Sequence, residues 1–293
     1  MKRGRWDAES AKGRAVIWSV TALAILFCRS LHAADTYPAY SAQSIVSGAT
    51  QTVEALAPNS IATIYGTNLS FTTSSTSGTL PGSTLPNTLE GVTVYVNNIA
   101  AHLFFVSPGQ INFLIPYEIT PGTVSIAVAR QGAAGPSVKI PLNSTAPDLF
   151  AWSGGAGTSA TGLSNALNYA IAVHLSGALI SPDAPATAGE IIVLYAAGLG
   201  RVNPDTTSGR LVTSAAPIVA SSQVQVTLAG VPSAASSILY AGLAPGFAGL
   251  YQINLRLPDN LPANPEIRIT AAGQTSLTPL RLPTRASEPM PAR

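Results

Sequence analysis

The chain has 293 residues, enough for about two domains of ordinary size. Charged residues make up 10% and hydrophobic ones 46%, with 25 Gly and 23 Pro, which excludes a disordered polyelectrolyte and a coiled coil and fits short strands joined by many turns. The formal charge of +2 comes from the N-terminus: Lys2, Arg3, Arg5, Lys12, Arg14 and Arg29 all precede residue 35, and from Asp35 onward nine basic residues face eleven acidic ones, for −2. Lys139 is the one lysine of that remainder, so no electrostatic footprint for nucleic acid is expected.

Residues 1–34 read as a secretory signal peptide. A basic n-region is followed by the apolar run Ala15 to Cys28 and by the small residues Ala33 and Ala34, either of which suits cleavage. The run has 14 residues, short of the roughly 20 that a spanning helix needs, so no membrane span is expected after cleavage and the product is secreted or periplasmic. Cys28 is the one cysteine, and bulky Phe27 before it and charged Arg29 after it disfavour lipid attachment. The expected mature chain has no disulfide and no thiolate metal site.

Residues 35–43 read as an extended lead-in. Leu56 to Leu69 holds the first strong strand, with β-favouring Ile61, Ile64 and Tyr65 between turn signals at Pro58-Asn59 and Gly66. Ser70 to Asn87 is a polar loop rich in Ser and Thr, too hydrophilic for a core. Val92, Val94 and Val96 alternate with polar neighbours and stop at Asn97-Asn98. Ala101 to Val106 is the next strand, and the alternation resumes at Val124, Ile126 and Val128 and at Val138, Ile140 and Leu142. About seven strands in roughly 100 residues is the rhythm of a β-sandwich.

One phrase occurs twice. Gly109-Gln110-Ile111-Asn112-Phe113-Leu114-Ile115-Pro116 returns as Tyr251-Gln252-Ile253-Asn254-Leu255-Arg256-Leu257-Pro258, with apolar residues two apart on one strand face and a terminal proline that cannot donate to a ladder. Ala188 to Gly200 answers Pro58 to Leu69, so Tyr195 stands where Tyr65 stands, and Val224, Val226 and Leu228 answer the Val92 strand. The offset grows from 130 at Tyr195 to 142 at Gln252, which places an insertion at Tyr240 to Gly249. Ile267 and Ile269 mark a further strand, and Leu277 to Leu282 is expected to close the sheet. Asn143 to Ser164, rich in glycine, is the join; Ser164 to Leu175 is a poor helix former whose second half reads as strand. The fold class expected is all-β: two tandem immunoglobulin-like β-sandwiches (44–146 and 147–283) between the signal peptide (1–34) and a flexible tail (284–293).

Several of these runs together resemble a known family. Leu56 to Leu69, Val106 to Asn112, Pro116-Tyr117, Ala146 to Phe150, Ile192 to Gly200 and Tyr240 to Asn254 are similar to the uncharacterised C-terminal domain family of secreted proteins from Solibacter-type acidobacteria. The run ending Ile64-Tyr65-Gly66-Thr67-Asn68-Leu69 also resembles the opening strand of IPT/TIG domains, which implies an immunoglobulin-like sandwich. The resemblance implies no activity and transfers no functional residue.

Chemistry finds little to work with. His102 and His174 are the histidines beyond residue 34, neither beside a Gly-x-Ser-x-Gly elbow, and both read as strand residues. The carboxylates are scattered, so no catalytic residue, metal site or cofactor is expected. Asn203 to Gly209 carries enough oxygens to wrap a calcium but lacks the further carboxylates of a tight loop, and an Asx-turn is the plainer reading. Trp152, Tyr240, Phe247 and Tyr251 are the binding candidates, since aromatic faces stack on sugars and anchor interfaces; a tyrosine at a strand end also serves as a sandwich corner. The expectation is an exported, non-catalytic module for adhesion, scaffolding or recognition, with a protein or glycan partner at the cell envelope and its surface on the loops Asn203 to Arg210 and Ala241 to Gly249. The alternatives are a carbohydrate-binding module using Trp152 or Tyr251 and a secreted hydrolase using His102 or His174.

Overall fold

The computed structural model describes residues 37–76, 83–153 and 168–287, and Tyr37–Arg293 forms one compact unit. The predicted signal peptide lies outside the described residues. Among the described residues every element is a strand or a three-residue 3-10 turn, and no helix is long and apolar enough to cross a membrane. The architecture is all-β, with largely antiparallel sheets stacked as in immunoglobulin-like sandwiches.

Four sheets build it. The first runs Ile45–Ser47, Ile61–Tyr65, Gln110–Leu114, His102–Val106, Ser74–Ser75 in spatial order, and the second Val138–Leu142, Gly122–Arg130, Val92–Val96, Ile99–Ala100. Ile64, Leu103, Ile111 and Phe113 of the first meet Val92, Val94, Ile126 and Val128 of the second in one buried cluster. The third sheet runs Asp148–Leu149, Ile191–Ala197, Tyr251–Arg256, Ile238–Leu243, Ala216–Pro217. The fourth runs Ala151–Ser153, Asn168–Ala170, Leu280–Arg281, Glu266–Ala271, Gln225–Leu228, Val231–Pro232. Leu194, Ile253, Leu255, Val226, Ile267 and Ile269 unite these two in a second cluster. Each fully buried aliphatic side chain contributes about 1.5–3 kcal/mol.

The repeat is visible in the pairing itself. Tyr65 stands opposite Gln110 and Ile64 opposite Ile111, just as Tyr195 stands opposite Gln252 and Leu194 opposite Ile253. In both copies the glutamine amide donates to the asparagine two residues on, Gln110 Nε2 to Asn112 Oδ1 at 2.8 Å and Gln252 Nε2 to Asn254 Oδ1 at 3.2 Å. The apolar rows point inward as expected, with Ile111, Phe113, Ile115, Ile253 and Leu255 all fully buried.

Three expectations need correction. The closing strand is only Leu280–Arg281, because exposed Leu277 belongs to a turn where Ser276 and Leu277 carbonyls accept from Arg268. The predicted tail is tied down through residue 287: Thr284 is buried and donates to the Pro262 carbonyl, and Ser287 donates to the Asp259 carbonyl. The polar loop from Ser70 to Asn87 contributes buried Leu85 to a core. The Ser164 to Leu175 stretch, where described, is strand, as its second half was read: Asn168–Ala170 and Ala172–His174.

Candidate functional site

The two sheet pairs meet along a seam that takes up several of the residues marked as functional in the sequence. A small buried cluster of Leu85, Leu114, Leu211 and Ala248, with Ile61 and Phe104 packed against it, bridges them. Two backbone bonds clasp the strand-like segments beside it, Leu85 N–H to the Gly209 carbonyl and Leu211 N–H to the Ser83 carbonyl, both 2.9 Å. Gly209 has φ +71 and lies on the His102 ring, where a Cβ would collide.

Where the first copy of the phrase ends, Tyr117 reaches across. Its hydroxyl donates to Asp205 Oδ1 at 2.6 Å and accepts from the Val202 N–H at 3.1 Å. Arg201 stacks 4.6 Å from the ring centre and donates to Asp205 Oδ2 at 2.6 Å. Next to it, Tyr117 N–H donates to Ser208 Oγ at 2.6 Å, while Ser208 donates both its N–H and its hydroxyl to Glu118. The Tyr117 phenol and then the Arg201 guanidinium hold the Asp205 carboxyl below its usual range. Burial pushes the Glu118 carboxyl up, but the Ser208 bonds outweigh it and leave the group below the ordinary value.

A second tie is Asp148, 4% exposed. Its Oδ2 accepts from Ser47 Oγ at 2.7 Å and Thr50 Oγ1 at 2.8 Å, while Oδ1 is buried with no partner among the described residues. Burial, opposed by the two hydroxyls and reinforced by the charge of Glu54, raises this carboxyl to about 6. Glu54 in turn accepts from Thr52 on its own side and from Thr278 across the seam.

The four aromatic candidates part company. Tyr251 is fully buried, its hydroxyl donating to the Gly200 carbonyl at 2.5 Å and accepting from Asn59 Nδ2 at 3.3 Å, so it is a seam residue with no face to offer a ligand. Tyr240 is a strand corner: its hydroxyl donates to the Leu243 carbonyl and accepts from the Ala216 N–H. Trp152 is half-buried against Tyr169, ring centres 5.4 Å apart. Phe247 alone is open, at 52% exposure. Ala248 and Gly249 of the same stretch face the seam, since Ala248 is buried in the bridging cluster and a Cβ on Gly249, at φ +68, would strike Leu114.

In the Asn203 to Gly209 loop the one carboxylate, Asp205, is taken up by Tyr117 and Arg201. Among the described residues no group of three His, Cys, Asp or Glu could hold a metal ion. Both histidines have an acid and a hydroxyl nearby, in an order that activates nothing. His174 Nδ1 meets Glu190 Oε1 at 2.5 Å and its Nε2 meets the Ala184 carbonyl at 3.2 Å, so the bond to Glu190 raises its pKa and no ring nitrogen is left as a base. Thr187 donates to Glu190, not to the ring. His102 Nδ1 meets the Leu85 carbonyl, and the Ser208 hydroxyl donates to Glu118. A relay needs the imidazole between hydroxyl and acid.

What the seam leaves open is a cleft of about 270 Å³ on the outer side of the same loop. Asp205, Thr206, Thr207, Arg210, Thr213 and Ser214 line it, and all but the half-buried Thr206 are exposed. Phe247 is fastened alongside: its carbonyl accepts from the Val212 N–H at 3.2 Å, and Gly246 N–H donates to the Val212 carbonyl at 2.7 Å. The sequence pointed to Phe247 and to this loop but could not show that the loop's inner side chains were committed elsewhere.

No protein-family model matches the chain, and no curated protein matches it. Among solved structures it is similar to the Bacteroides ovatus surface protein SGBP-B of a mixed-linkage glucan utilization locus, in complex with a mixed-linkage heptasaccharide, at 12% identity and TM-score 0.34, over 87% of this chain and 47% of that one. It is similar to the surface glycan-binding protein PbSGBP-B of Prevotella bryantii at 10% identity and TM-score 0.25, over 84% and 42%. Domains 5–6 of the S-layer protein SbsC match at 9% identity and TM-score 0.26, over 86% and 100%. The chain spans less than half the length of the two glycan-binding proteins.

Proposed function

We propose that this is an exported recognition module of two tandem sandwiches held as one body, which binds its partner at the cell envelope through the cleft between Pro204 and Ala216. The observation that carries the reading is the division of labour within one loop. Asp205 and Ser208 are committed to Tyr117 and Glu118, while Thr207 and Arg210 are exposed in the cleft, whose Val212 is tied to Phe247 through the backbone. Loops held on a rigid frame are where sandwich folds place function. A glycan is the second reading: the hydroxyls of Thr206, Thr207, Thr213 and Ser214 in the cleft supply hydrogen bonds, and exposed Phe247, tied by its backbone to Val212 of the lining, supplies a stacking face. Capture from the organism's own envelope tests the first and a glycan array the second, each with the wild type and the Phe247→Ala, Arg210→Ala pair. Loss of capture in the pair, with an unchanged melting temperature, supports the cleft. Undiminished capture by the pair refutes it.

A further inference from the structure

A second concavity shares no residue with the cleft and has a different chemistry. It holds about 530 Å³, within the range of small-molecule sites, between the hairpin of Gln225–Leu228 with Val231–Pro232 and the chain that leaves Tyr251–Arg256. Its walls are largely apolar: Leu228, Val231, Pro232, Pro258 and Pro262. Val231 is 68% exposed at the rim, an apolar side chain that the fold itself does not cover.

One lining residue is charged, and it is Arg256. Arg201, Arg268 and Arg281 each donate to a carboxylate or a carbonyl, whereas Arg256 has no ion pair and no side-chain hydrogen bond among the described residues. No acid lines the groove; Asp259 sits close by in sequence but its carboxylate lies beside Gly189. A single guanidinium with its donors free matches one carboxylate in a bidentate pair. A phosphate dianion would call for a second cation or a helix N-terminus, and the lining provides neither.

We propose that this groove binds a small monocarboxylic acid with an aliphatic or aryl-alkyl body, its carboxylate on Arg256 and its body against Val231 and the three prolines. The inference does not rest on the cleft or on an envelope partner.

The probe is 4-phenylbutyrate, titrated into 15N-labelled protein, with 4-phenylbutanamide as the uncharged match. The expected result is saturable shifts confined to residues 228–237 and 256–262. Arg256→Gln should weaken the acid at least about tenfold, the scale of one lost charge-assisted contact, and bring it level with the amide. Val231→Trp, which fills the groove from its exposed rim, should abolish both. Absence of shifts with the wild type, equal binding of acid and amide, or undiminished binding by Arg256→Gln would each overturn the proposal. Arg256 is exposed, so its substitution leaves the folded protein intact for the titration.

Discussion

The two copies of the Gln-x-Asn strand form the same local structure and serve opposite ends. Gln110–Leu114 and Tyr251–Arg256 share their pairing, their buried row and their Gln-to-Asn bond. Leu114 and Arg256 then occupy corresponding positions on the outer face. Leu114 is fully buried in the seam, and Arg256 is exposed in a groove. At the other end Tyr251 stands where the first copy has Gly109, and it fills the seam from the opposite side. A repeated sequence thus dictates a strand, while the partner that each strand end meets dictates its use.

The most forceful way to break this comparison is to exchange the size difference at its start. Tyr251→Ala should cost about 3–5 kcal/mol in urea unfolding, since it removes a fully buried ring and strands the Gly200 carbonyl and the Asn59 amide. Gly109→Ala at the matching position should cost less than about 0.5 kcal/mol, because a Cβ there meets only the Gly66 carbonyl oxygen at 3.8 Å. Equal costs would mean that the seam contributes nothing beyond the strand.

A smaller effect should follow pH. The Asp148 carboxyl holds its proton more tightly in the folded protein, at about 6, than at the ordinary 3.8. The stability this adds is complete below about pH 4 and is lost as pH rises through 6. Relative to Asp148→Asn, which does not titrate, the wild type should therefore lose about 3 kcal/mol between about pH 4 and pH 8. A flat difference across that range would show that Asp148 is hydrated or paired in solution.

Much of the fold is legible in the sequence, because alternation is a local signal: Val92 to Val96, Val124 to Val128 and Glu266–Ala271 all show it, and the correspondence of Tyr65 with Tyr195 follows from the repeat alone. The site is less legible. Asn59 and Tyr251 are 192 residues apart, and Tyr117 and Asp205 are 88 apart. Nothing in the composition of Asn203 to Arg210 distinguishes a loop that grips the other half from one that awaits a ligand. Leu85 likewise sits in a polar stretch, and only Gly209 and Leu211 across the seam make it core. Arg256 is the one charge in the repeated phrase, and only the fold places it in a groove.

The central claim is that the seam makes one cooperative body of the two sheet pairs. Differential scanning calorimetry of the segment 37–293 tests it most directly. A single transition is expected, moved as a whole by Tyr117→Phe through the loss of about 1 kcal/mol of hydrogen bonding to Asp205 and Val202. Two separated transitions, with Tyr117→Phe moving at most one of them, would contradict it.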